Sequence, residues 1–135
     1  MTDLPDLVRL DQPESPDRTR DLGNLLAETA RALNYATLGD APGLGDPSDA
    51  YSLLAALYTA TQRLPQLFGQ VASFITAQAA TGTLGDSRGK DPGQVAGVHA
   101  ACLALASQLA ADLTGRLQAA QNAIAGLYVK GDDDE

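Results

Sequence analysis

The chain writes the same helix start three times, as Ser15-Pro16-Asp17-Arg18, Asp46-Pro47-Ser48-Asp49 and Asp91-Pro92-Gly93-Gln94. Each begins with an oxygen that can accept a hydrogen bond from an N–H of the first turn. Proline follows, at the one helical position where its missing N–H is no loss. Asp49 and Gln94 stand where a capping-box partner stands. An apolar stripe follows every start, so the chain reads as all-α. The expected fold is an antiparallel three-helix bundle, dominated by a long hairpin of its second and third helices.

The first helix is predicted over 16–38, with Leu22, Leu25, Leu26, Thr29, Leu33 and Ala36 on one face. Glu28 and Arg31 are spaced to pair on its outer side. Gly39 opens a breaker-rich loop. The second helix is predicted over 47–80. Its stripe of Leu54, Leu57, Thr61, Leu64, Phe68, Val71 and Ile75 recurs at the spacing of a left-handed helix pair. Pro65 predicts a kink rather than a break, because the stripe continues in phase beyond it. Gly69 is read as a close helix–helix contact. The third helix is predicted over 92–130 and closed by Gly131. Its core stripe is read as Val95, Val98, Cys102, Leu105, Leu109, Leu113, Leu117, Ala120, Ile124 and Leu127. Ala96, Ala100, Ala104, Ala111, Gly115 and Ala119 form a second row of small residues beside it. Asp112 and Arg116 are spaced as an ion pair.

Three pieces follow from this reading: an N-terminal arm over 1–14, a helical bundle over 15–131 and an acidic tail over 132–135. Leu4, Leu7, Val8 and Leu10 make the arm apolar, with Pro5 and Pro13 bracketing it as either one helical turn or an extended strip.

Helix length then raises a packing problem. At 1.5 Å per residue the first helix is about 35 Å long, and the other two each exceed ~50 Å. The far end of the hairpin projects past the first helix. It carries Leu67, Phe74, Ile75, Val95 and Val98, and leaving these in water is unfavourable at about 25 cal/mol per Å². The arm is the first candidate to cover them, a second copy (a homodimer) the next, and a different protein the third.

Composition narrows the chemistry. A net charge of −8 argues against nucleic acid, which needs a basic stripe to neutralise phosphates. Anionic membrane surfaces are disfavoured on the same ground. No apolar run reaches the roughly 18 residues of a membrane span. The one cysteine allows no intrachain disulfide, and the acidic start has no hydrophobic run of a signal peptide. The expected location is the cytoplasm, and the abundance of Ala, Gly, Asp and Arg points to a bacterial source.

Catalytic patterns are thin. His99 and Cys102 form His-x-x-Cys on one turn, but a zinc site needs three or four ligands and no other Cys or His exists. Cys102 is expected to be a buried, inert thiol. Glu28 and Asp112, the main acids inside helices, each have an arginine nearby and read as surface pairs. The glycines at 82, 85 and 89 beside Arg88 and Lys90 match neither phosphate-loop pattern. No metal, cofactor or catalytic group is expected.

The sequence therefore predicts a non-enzymatic protein–protein interaction or adaptor protein, working through a helical surface. The alternative is a small-ligand or regulatory sensor with a pocket near the Pro65 kink, lined by Tyr58, Leu64 and Phe68. A catalytic role, needing a cleft that gathers His99 with carboxylates, is the third reading.

Overall fold

In the computed structural model, all three predicted caps form. Ser15 Oγ accepts from the Arg18 N–H at 3.0 Å, opening α1 (Pro16–Ala36). Asp46 accepts from the Ser48 N–H at 2.8 Å and from the Asp49 N–H, and the Asp49 carboxylate accepts from the Asp46 N–H at 3.1 Å. This reciprocal box opens α2 (Pro47–Ala80). Asp91 accepts from the Gln94 N–H at 3.1 Å and opens α3 (Pro92–Ala123). The structure describes residues 6–40 and 42–131, which contain these helices, one 3₁₀ turn and no strand. Leu4 and Pro5 of the predicted arm, and the acidic tail over 132–135, lie outside the described residues.

The chain divides into two compact units, Met1–Gly45 and Asp46–Glu135. In the first, the arm forms a 3₁₀ turn over Asp6–Val8 that contacts α1. Arg18 holds it there. Its guanidinium donates to the carbonyls of Leu7 at 3.0 Å and Arg9 at 2.6 Å, and to the Glu14 carboxylate at 2.6 Å. The predicted Glu28–Arg31 pair forms at 2.6 Å. The first helix ends at Ala36, two residues early, where the Thr37 hydroxyl donates to the Leu33 carbonyl. The loop beyond folds tightly onto this end. A Cβ on Gly43 would overlap the Ala36 carbonyl, so only glycine fits there.

The second unit is the predicted hairpin. Thr61 and Thr114 share a hydroxyl–hydroxyl hydrogen bond of 2.7 Å, which fixes the register of the two antiparallel helices. Counting outward from that pair, Phe68 stands level with Ser107, Ile75 with Ala100 and Ala72 with Leu103. Large residues on one helix thus meet small ones on the other. Ala96 and Ala110, 4% and 6% exposed, are the buried hydrophobic residues of this seam. The α2 helix runs unbroken through Pro65, as its stripe predicted.

Several expectations need correction. The third helix stops at Ala123, not Lys130, and Gly131 does not close it. Asn122 and Gly126 are poor helix formers, and the chain there tightens into three-residue bonds such as Ile124 N–H to the Gln121 carbonyl at 3.2 Å. Gly69 makes no close helix contact, since a Cβ there would meet nothing within 4 Å. No ion pair joins Asp112 to Arg116 among the described residues. The largest correction concerns α3. The predicted core stripe of Val98, Cys102, Leu105, Leu109 and Leu113 is exposed, and alanines turn inward instead. The large side chains of α2 already fill the seam, so small partners let the helices approach.

Candidate interaction face

Each residue advances a helix by about 100°. A residue just before a seam position therefore lies on one flank of its helix, and one just after lies on the other. In an antiparallel pair, the "before" positions of both helices fall on the same side of the hairpin. Here that side is bulky. Leu67 precedes Phe68 and Phe74 precedes Ile75. On α3, Cys102 precedes Leu103, Leu109 precedes Ala110 and Leu113 precedes Thr114. All five of these flank residues are exposed, Phe74 at 61% and Leu109 at 67%. Val71 and Leu105 continue the two rows, and Val98 extends the α3 row to the tip at 66% exposure.

The opposite flank is small or polar. Gly69 and Thr76 follow their seam residues on α2, as do Gly97, Ala104, Ala111 and Gly115 on α3, all exposed. The hairpin is thus two-sided, with apolar bulk on one side only.

Charge is absent from the same region. No Asp, Glu, Lys or Arg occurs between Arg63 and the tip loop on α2, or between the tip loop and Asp112 on α3. The register places Arg63 level with Asp112, so the charge-free stretches of the two helices coincide. Along the helices of this half of the hairpin water meets only apolar and neutral groups, and the charges gather in the tip loop at Asp86, Arg88, Lys90 and Asp91.

Of the residues singled out at the tip, Leu67, Phe74 and Val98 stand exposed on the bulky flank, and Ile75 and Val95 are half-buried. Sequence reasoning missed Val71 as exposed, and it assigned Cys102, Leu105, Leu109 and Leu113 to the core. The usable signal was the match between large α2 seam residues and a row of alanines in α3. Tyr58, Leu64 and Phe68 are half-buried, with Leu64 and Phe68 in seam register.

The tip loop is organised by one carboxylate. Asp86 accepts from the backbone N–H groups of Lys90 at 3.0 Å and Arg88 at 3.1 Å. The Lys90 N–H, with smaller help from Arg88, holds the Asp86 carboxyl below its ordinary value of 3.8. Gly82 and Gly89 take positive φ, as the turn requires. These amides face a carboxylate, so they are not free to cradle a phosphate. Beside the loop lies a hollow of about 530 Å³, lined by Arg88, Lys90, Gln94, Val95, Val98 and His99. The Nε2 atom of His99 is enclosed without a hydrogen-bond partner. Cys102, on the outer row, is exposed rather than buried. No group of three or more His, Cys, Asp or Glu suited to a metal ion occurs among the described residues.

One further expectation changes. By length and hydropathy α3 is apolar enough to cross a membrane, with a mean hydropathy of 1.3 over its best window. Valine and leucine supply most of this value and alanine the rest, with small residues interspersed rather than one long run of large ones. No family model, curated protein or solved structure matches the chain. Its geometry defines an all-α protein built around a long helical hairpin.

Proposed function

We propose that this chain is a non-enzymatic interaction protein that works through the bulky flank of its hairpin. The observation that supports this is the pair of exposed rows, Leu67–Val71–Phe74 and Val98–Leu105–Leu109–Leu113, on one side of α2 and α3. Contiguous apolar surface of this extent marks a site of association. The uncharged stretch around it removes the desolvation cost that charged groups would add.

An apolar fluorescent dye tests the reading at high dilution, where associated copies separate. The folded protein should bind the dye, and Leu105→Glu with Leu109→Glu should abolish the signal while helicity by circular dichroism stays unchanged. A folded, dilute wild type that leaves the dye dark would overturn the proposal.

A further inference from the structure

We infer that the partner is a second copy of this chain, with two hairpins pairing bulky flank to bulky flank as four helices. The inference rests on the interaction reading above and adds the identity of the partner.

Three observations carry it. The first is area. Leu67, Val71, Phe74, Val98, Leu105, Leu109 and Leu113 each keep roughly half of their surface exposed. That amounts to on the order of 700 Å² per copy, and two copies reach the range of a stable interface.

The second is angle. The exposed rows are centred about 100–120° from the seam on both helices, with Val98 and Leu105 at the outer margin of the α3 row. In a four-helix bundle each helix has two neighbours at roughly a right angle. The seam serves one neighbour and the bulky row is aimed at the other.

The third is charge. The helical residues of the flank carry no formal charge, and Arg88 and Lys90 border only its tip end beside Val98, so little in it asks for a partner of opposite sign. A neutral apolar surface is complementary to itself, and a two-fold pair buries the same patch on both copies.

Sedimentation equilibrium of the full chain across the micromolar range tests this. The expected species has twice the chain mass of 13.9 kDa. Leu105→Glu with Leu109→Glu should weaken pairing by about a hundredfold or more, as for truncating central anchors. Ala104→Glu, on the small-residue flank, should leave pairing unchanged. If the double variant fails to fold, Cys102 of the wild type supplies a second readout. Its labelling by a thiol reagent should slow about tenfold or more as concentration rises and the flank is covered.

A monomer at every concentration that still binds dye when dilute overturns the inference and leaves the interaction reading standing. A monomer that binds no dye sinks both. A dimer that survives both glutamates, with Cys102 labelled at a constant rate, places the contact elsewhere and overturns the inference. Co-sedimentation with neutral phosphatidylcholine vesicles, lost in the double variant, would assign the flank to lipid and overturn it as well.

Discussion

The hydroxyls of Thr61 and Thr114 meet at 2.7 Å across the seam of the hairpin. Each also lies within reach of its own helix, Thr61 of the Tyr58 carbonyl at 3.1 Å and Thr114 of the Ala110 carbonyl at 2.8 Å. Two protons serve these three contacts, so when the cross-helix bond forms, one threonine accepts from the other and the donor gives up its own helix's carbonyl. The pair sets which residues of α2 and α3 stand level, and therefore where the bulky flank lies.

Thr114→Val should cost about 1 kcal/mol, the usual net value of one hydrogen bond. Adding Thr61→Val should cost little more, because the second hydroxyl has already lost its cross-helix partner. Denaturant unfolding of the two single variants and the double variant at fixed protein concentration measures this coupling. Full additivity would remove the pair from its aligning role.

Neighbouring positions on α3 should respond in opposite ways. Ala110 is 6% exposed against α2, so Ala110→Leu should force the helices apart and cost about 1–3 kcal/mol. Leu109→Ala, one residue earlier, should change the stability of the dilute monomer by less than about 0.5 kcal/mol. Thermal unfolding at low concentration compares them. A loss of ~2 kcal/mol or more at Leu109 would return it to the core of the single chain.

The arm should depend on Arg18, whose side chain is only 11% exposed. Arg18→Met keeps the apolar stem and removes the donors to the Leu7 and Arg9 carbonyls. Bonds from a charged donor contribute about 1.5–3 kcal/mol each, so the Arg9 amide should exchange at least tenfold faster. Helical amides in the middle of α1 should be unaffected, because their bonds are internal to the helix.

The tip loop should loosen in acid. The folded Asp86 carboxyl is held below 3.8, chiefly by the Lys90 N–H. Its contribution is therefore complete above that value and fades as pH falls through the lowered one. Asp46 is held down in the same direction, first by the Ser48 hydroxyl, so the start of α2 weakens over the same window. Amide chemical shifts of Arg88 and Lys90 should move in this range and stay flat in Asp86→Asn. Shifts that move near neutral pH instead would contradict the assignment.

Local chemistry made much of this fold readable. The prolines and capping oxygens marked the three helix starts because those signals act within one turn. The α2 stripe was legible for a similar reason, since Leu54, Thr61, Leu64, Phe68 and Ile75 do lie half-buried along the seam. Two apolar stripes share α3, and periodicity alone could not say which one faces α2. Size suggested the leucines, but packing chose Ala96 and Ala110, because the other helix had already filled the space. Exposed leucines cannot be told from buried ones until a register is known, and the Thr61–Thr114 bond joins residues too far apart in the chain to be paired by pattern. The end of α3 was missed because Gly126 and Asn122 weaken the helix gradually, with no proline to mark a stop.

A body that is adhesive on one side and smooth on the other can add a neighbour only once. After two such bodies close upon each other, Gly69, Gly97, Ala104 and Gly115 face outward and offer little to grip. The hairpin's lopsidedness thus limits growth: it permits a closed pair and discourages a fibre.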